Sequence, residues 1–181
     1  NIKTYVESEL GKEVKNSALV MAIRRYAQSV QKKEEKNTSL NFNSEIIMKT
    51  DLCDITLLKT PSLLDKLKEL HKIVGKDGTL NIIQGNYEVT IVVSQKYFKE
   101  ILSLLAREKM LNIEKNLVSL TLTLSKEFLK TPGVLALATR KIAWEGINIY
   151  ENISTMTEII FILSEKDAVK AYNIFKDMIK R

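Results

Sequence analysis

One short segment of the chain combines residue types that favour binding of a carboxylate. It consists of Thr131, Pro132, Gly133, Val134 and Leu135. Pro132 has its φ fixed near the helical value and lacks an N–H, so it suits the first turn of a helix. Gly133 has no Cβ, which lets a ligand approach the exposed N–H groups of that turn. Because those N–H groups and the helix dipole attract anions, the segment predicts a carboxylate-binding turn; a simple strand-to-helix turn is the alternative.

The residues after the predicted helix could supply the other contacts. Gly146 ends that helix, and Asn148 and Ile149 begin the next strand. If this strand returns beside the turn, its backbone carbonyls and the Asn148 amide could orient the ammonium group of an amino acid. We expect these residues to come from the same unit as the turn or from a paired unit.

The order of these residues resembles the ACT domain, a small-ligand sensor of amino-acid metabolism. The resemblance rests on residues 130–133, the apolar helix, residues 145–149 and then residues 153–155, and it is strongest to the regulatory domains of aspartate kinases. It implies a ferredoxin-like fold, a bound amino acid at the turn and a homodimer.

A kinase or dehydrogenase catalytic pattern does not accompany these residues. The chain therefore resembles the stand-alone ACT-repeat regulators predicted in archaea, which would pass the signal to a DNA or protein target. The alternative is a regulatory subunit that acts on an amino-acid biosynthetic enzyme through protein contact.

Patterns typical of enzymes are missing. The sequence has no phosphate-binding glycine loop and no nucleophile elbow. His71 is its only histidine and is expected at the surface, and Cys53 is its only cysteine and is expected in the core. Asp51 and Asp54 flank Cys53 and are expected to be solvated. We therefore expect no enzyme, no metal and no cofactor.

Composition limits the class of protein and its partners. The 181 residues are 45% hydrophobic and 28% charged, as in an ordinary soluble globular protein. No apolar run approaches the roughly 20 residues that span a bilayer, so no membrane contact is expected. A single cysteine excludes an internal disulfide and favours the cytoplasm. The net charge of +6 permits contact with nucleic acid or anionic metabolites without establishing either.

Two copies of one unit fill the chain from about residue 44 to its end. Residues 57–61 match residues 128–132, and shorter matches follow downstream. In each copy, segments of period two alternate with segments of helical spacing in the order βαββαβ. This predicts an α+β fold with two ferredoxin-like units, residues 44–115 and residues 116–181, packed together.

The second copy lacks the closing strand of this pattern, because its second helix runs to Arg181. An open sheet edge favours association. We expect the position to be filled by strand exchange between the copies, by the segment near residues 40–43, or by a partner chain.

Residues 1–40 form a helical segment without a strand pattern. A break at Gly11 separates two helices that resemble part of a helix-turn-helix. In that interpretation six residues would lie on or near a recognition helix or meet phosphates: Lys15, Asn16, Ser17, Arg24, Lys32 and Lys33. The alternative is a helical dimerisation or packing element.

Overall fold

The computed structural model describes residues 1–38, 45–125 and 130–179, with side chains described from residue 1 to 30 and in the two later ranges. The chain divides into two compact bodies, residues 1–41 and residues 42–180.

The N-terminal body contains two helices, α1 (Ile2–Leu10) and α2 (Asn16–Thr38). The side-chain oxygen of Asn1 accepts a hydrogen bond from the Lys3 N–H at 3.0 Å and so caps α1. Gly11 ends α1 with a left-handed φ of 61°, which is the usual role of a C-terminal glycine. The expected helix break at Gly11 is therefore observed.

The second body is a six-stranded antiparallel sheet with four α-helices among its described residues. Its elements in chain order are β1 (Ile46–Leu58), α3 (Pro61–Val74), β2 (Leu80–Gln84), β3 (Glu88–Ser94), α4 (Phe98–Leu104), β4 (Met110–Thr123), α5 (Val134–Trp144), β5 (Ile149–Ser154), β6 (Glu158–Ser164) and α6 (Ala168–Ile179). The strand order is β2-β3-β1-β4-β6-β5. The predicted α+β class is confirmed.

The two central strands each serve both halves of the sheet. Residues 52–58 of β1 pair with β3 and with the start of β4, which completes the order fourth, first, third, second strand of a ferredoxin-like fold. Residues 46–49 of β1 pair with residues 119–122 of β4 and occupy the fourth position beside β6 and β5. The closing strand of the second half is thus supplied by strand exchange, the first of the three expected sources. Residues 40–43, the second source, lie outside the described residues.

This sharing corrects one expectation about β4. The sequence suggested a closing strand at residues 111–114 and a separate first strand at residues 118–124, whereas Met110–Thr123 is one continuous strand. The boundary expected between residues 115 and 116 therefore falls inside a strand. Hydrogen bonds to β1 on both sides of that point hold the strand together.

Both shared strands change direction at a residue with left-handed backbone. Asp51 in β1 and Asn116 in β4 each have φ of 56°, and the β1–β4 register shifts next to Asp51. Asp and Asn tolerate this conformation better than other residues with a Cβ. Leu52 pairs with Leu117 directly after the two kinks, so the kinks mark equivalent points of the two halves.

Apolar side chains are buried on both faces of the strands. In the first half, α3 and α4 pack on the face that carries Cys53, Ile55 and Leu57. In the second half, Phe161 of β6 stacks on Phe175 of α6 with 4.8 Å between the ring centroids. The opposite face carries a separate buried cluster: Leu52, Val92, Leu117 and Ile162. Within the described ranges, no helix is both long and apolar enough to cross a membrane.

Candidate ligand-binding turns

Each half of the sheet has a strand-to-helix turn at equivalent positions, and the first turn is a closed helix cap. Thr60 is the N-cap of α3, and its Oγ1 accepts a hydrogen bond from the Leu63 N–H at 3.1 Å. Pro61 follows at the first helical position, where its missing N–H leaves nothing unpaired.

The second turn differs from the first and from the expectation for Pro132. Helix α5 begins at Val134, and Gly133 is its N-cap with φ of 88° and without a side-chain cap. Pro132 therefore precedes the helix and does not begin it. The left-handed backbone of Gly133 interrupts the helical geometry between the two residues. The N-cap residue of α5 thus supplies no side-chain cap of the kind that Thr60 supplies to α3.

No described residue crowds Gly133. A Cβ built on Gly133 would meet no atom of the described residues within 4 Å. Gly133 and Pro132 are exposed, Leu135 is 39% exposed, and Val134 is buried and anchors the helix. Binding at residues 131–135 stays a prediction.

The structure does not bring Asn148 and Ile149 to this turn within one chain. Both residues follow the C-terminal end of α5, whose 11 residues span roughly 16 Å. The α-carboxylate and α-ammonium groups of an amino acid share one carbon atom and cannot bridge that length. Asn148 and Ile149 could share a ligand with the turn only if they came from a different unit.

A hairpin that the site prediction left out lies at the same end of the sheet as the second turn. The Leu124 N–H, just past the end of β4, donates to the Thr157 carbonyl at 2.7 Å. The hairpin residues Thr155, Met156 and Thr157 are exposed. Strand β5 runs towards this hairpin, so its end, and not its start, lies beside the turn. The predicted βαββαβ order was the signal that could have revealed this, because it makes β4 and β5 parallel to each other and antiparallel to β6.

The first turn holds a carboxylate from its own chain. Glu108 accepts hydrogen bonds from Thr60 Oγ1 at 3.0 Å, from Ser62 Oγ at 2.8 Å and from Lys66 Nζ. Its side chain is only 4% exposed. The hydrogen bonds from Lys66 and Ser62 hold the pKa of Glu108 below its usual value. A cleft of about 560 Å³ lies beside it and is lined in part by Arg107.

Two further carboxylates lie on the sheet face opposite to the helices of the first half. Asp54 is buried. Its pKa is raised to about 6, mainly by this burial and to a smaller extent by the charge of Glu151. Thr56 Oγ1 donates to Asp54 at 3.2 Å and lies 3.3 Å from the hydroxyl of Thr90. Glu151 of β5, whose own pKa is raised chiefly by burial, lies near enough for its charge to raise the pKa of Asp54. Because this brings β5 of the second half close to β1 of the first half, the sheet curls.

The expectation that Asp54 is solvated is therefore wrong, because the curled sheet covers its face. Asp51 is exposed, as expected. Cys53 is buried in the core, and burial raises the pKa of its thiol to about 11, which keeps it unreactive. His71 lies exposed in the last turn of α3. Among the described side chains, no group of three or more His, Cys, Asp or Glu residues could hold a metal ion.

The residues suggested for nucleic-acid binding lie on α2 or just before it. Lys15, Asn16 and Ser17 are exposed around its start, and Arg24 is exposed two turns after Ser17. The backbone of Lys32 and Lys33 belongs to α2, but their side chains lie outside the described residues. Four of the six residues thus lie on an exposed stretch that begins just before α2. The described structure shows no contact among these four side chains.

Solved structures of known proteins share this fold. No protein-family model and no curated protein matches the chain. A structure of aspartokinase α and β subunits is 16% identical with a TM-score of 0.63, over 75% of this chain and 97% of that chain. The ligand-free regulatory subunit of aspartate kinase from Thermus thermophilus is 18% identical with a TM-score of 0.61, over 74% and 95%. Aspartokinase III from E. coli with lysine and aspartate is 11% identical with a TM-score of 0.56, over 75% and 32%.

The fold is that of aspartate kinase regulatory domains. This supports the ACT-like, α+β part of the sequence prediction. At such low identity the likeness concerns the fold alone.

Proposed function

We propose that this chain is a non-catalytic regulatory protein that senses an amino acid and controls an amino-acid biosynthetic enzyme through protein contact. The observation that carries the proposal is the fold match, which spans nearly the full length of a free-standing aspartate kinase regulatory subunit. In the related E. coli structure lysine and aspartate are the bound molecules, which supports an amino acid as the class of ligand.

The second turn is the proposed ligand site. The N–H groups at the start of α5 would bind the ligand carboxylate, because the N-cap residue Gly133 has no side chain to cap them. Thr131, Pro132, Val134 and Leu135 would form the rest of that turn. The exposed hairpin at residues 155–157 would lie beside the ligand, since it sits at the same end of the sheet.

A homodimer would bring Asn148 and Ile149 to the same ligand. Strand β5 is an edge of the sheet, so a second copy could pair with it in antiparallel orientation. The start of one β5 would then lie beside the end of the other, next to the turn of the second copy. This arrangement reconciles the two parts of the predicted site, which α5 keeps apart within one chain.

A thermal-shift screen against free amino acids tests the proposed function. A ligand that binds only the folded protein raises Tm by mass action, and calorimetry then gives its affinity and stoichiometry. The function is refuted if no amino acid changes Tm at millimolar concentration. Light scattering at tens of micromolar protein tests the dimer, and a monomer at that concentration contradicts it.

The matched variants Gly133→Asn and Gly146→Asn test the placement of the ligand. Both glycines have positive φ, 88° and 70°, and at both a Cβ would meet no atom of the described part of the chain within 4 Å. Asn tolerates this backbone, so the two variants carry a similar conformational cost. Because Gly146 lies at the far end of α5, we expect only Gly133→Asn to weaken binding. Equal affinity for the two variants would refute the site.

The structure adds no observation that favours a DNA target over a protein target. The basic residues at the start of α2, Lys15 and Arg24, lie on a solvent-exposed helix of the kind that many packing elements also present. Contact with an enzyme therefore remains the proposed route of regulation, and binding of DNA is not proposed.

A further inference from the structure

The side-chain donors of the first strand-to-helix turn are satisfied by a carboxylate from the same chain. At the first turn, Glu108 takes one hydrogen bond from each of three side chains of the turn and of α3: Thr60, Ser62 and Lys66. Thr60 also accepts from the Leu63 N–H, so its hydroxyl joins the helix start to the carboxylate. The negative charge of Glu108 therefore lies at the positive end of the α3 dipole.

These contacts are those that a bound carboxylate ligand would make. Two hydroxyl donors and one ammonium donor converge on the two oxygens of a side chain that is only 4% exposed. Glu108 lies in the loop before β4, and it is 48 residues from Thr60 in the sequence. The carboxylate is thus held by tertiary structure and is not a local helix cap.

The strand register identifies the equivalent residue of the second half. The Leu58 N–H donates to the Lys109 carbonyl at 2.9 Å, and at the equivalent point of the other half the Thr123 N–H donates to the Glu45 carbonyl at 3.0 Å. Lys109 therefore corresponds to Glu45. The residue before Lys109 is Glu108, and the residue before Glu45 is Ser44, which has no carboxylate. The position that corresponds to Glu108 in the second half therefore carries no carboxylate.

We propose that the first turn is a carboxylate-binding site that Glu108 fills from within the chain, and that this contact closes the first half to carboxylate ligands. Removing the Glu108 side chain frees Ser62, Lys66 and the Thr60 hydroxyl beside the 560 Å³ cleft. A small carboxylate from solution then takes the place of the missing group. The inference concerns the first half alone and stands whether or not the second half binds an amino acid.

Chemical rescue of Glu108→Ala by acetate tests this proposal. The free energy of unfolding and Tm are measured in sodium acetate and in sodium chloride of equal ionic strength. We expect Glu108→Ala to be less stable than wild type and to gain about 3–6 °C in acetate over chloride when acetate reaches about ten times its Kd. Wild type should show the same Tm in both salts, because Glu108 already occupies the site.

Two further variants show whether the rescue occurs at this turn. Glu69→Ala also removes a carboxylate that pairs with a lysine, Lys72 at 2.8 Å, but at an exposed position of α3. It should show no difference between acetate and chloride. Adding Lys66→Ala to Glu108→Ala should abolish the rescue, since the main cationic donor is then lost.

The result that overturns the proposal is an equal effect of acetate on wild type, Glu69→Ala and Glu108→Ala. If Glu108→Ala does not fold in chloride, recovery of its circular dichroism in acetate supports the proposal. If the circular dichroism of Glu108→Ala does not recover in acetate, the proposal is overturned.

Discussion

Replacing Asp54 by Asn should make the protein more stable at neutral pH. Asp54 is buried, with 4% of its surface exposed, and its pKa is raised to about 6 by burial and by the nearby charge of Glu151. Its ionised form is thus less favourable in the folded state than in the unfolded chain. An amide of similar size removes that charge and keeps an oxygen to accept the hydrogen bond from Thr56.

The size and the pH range of the effect follow from the two pKa values. A pKa of about 6 in the folded state against 3.8 in the unfolded chain corresponds to about 3 kcal/mol. Because the folded pKa is the higher one, the proton on Asp54 stabilises the wild type fully below pH 3.8, and this stabilisation is lost as pH rises through 6. The new amide N–H groups need partners of their own, so we expect Asp54→Asn to gain about 1–3 kcal/mol above pH 7.

Urea unfolding of wild type and Asp54→Asn from pH 4 to pH 8 measures this difference. The gain should shrink as pH falls from 7 and vanish near pH 4. Asp51→Asn is the matched control, because it makes the same chemical change at an exposed residue of the same strand, with a φ of 56° that Asn also tolerates. The reasoning is refuted if Asp54→Asn is no more stable than wild type at pH 8, or if its gain does not depend on pH.

Four further substitutions, of which Gly85→Ala is a control, test the packing and the turns by urea unfolding. A Cβ on Gly78 would overlap the side chain of Val74, so Gly78→Ala should lose about 1–3 kcal/mol, whereas Gly85→Ala, with only ordinary contacts, should lose less than about 1 kcal/mol. Gly133→Val should lower the free energy of unfolding by at least about 1–2 kcal/mol, because Val is strained at a φ of 88°. An unchanged stability would contradict that φ. Phe161→Ala empties a fully buried position and should lose about 3–5 kcal/mol; a loss below 1 kcal/mol would contradict its core position.

The order of the helices and strands was predictable because each element carries its own periodicity. Leu80–Gln84, for example, has the bounds expected from sequence, since a strong turn signal at Gly85 and Asn86 follows it. The continuity of β4 was not predictable. The sequence places a boundary between residues 115 and 116, whereas pairing with β1, 60 to 65 residues away, continues on both sides of Asn116.

At the candidate sites, too, some features follow from neighbouring residues in the sequence and others depend on residues far away in it. The turn at Gly133 could be proposed from sequence because Pro and Gly are local signals, but the residue at which α5 begins depends on the φ that Gly133 adopts. Glu108 was missed because its partner Thr60 is 48 residues away and no local pattern connects them. Asp54 was misjudged because alternation shows which face a residue occupies but not whether that face is covered.

The shared strands make the two halves mechanically inseparable. The first half takes its closing strand from the start of β4, and the second half takes its closing strand from the start of β1. The charge of Glu151 on β5 also acts on Asp54 of β1, which is a second link between the halves. If the turn before α5 binds the proposed ligand, that ligand acts on strands that also build the first half. No hinge is then needed to carry its effect to the first turn, because the same two strands, β1 and β4, run beneath both turns.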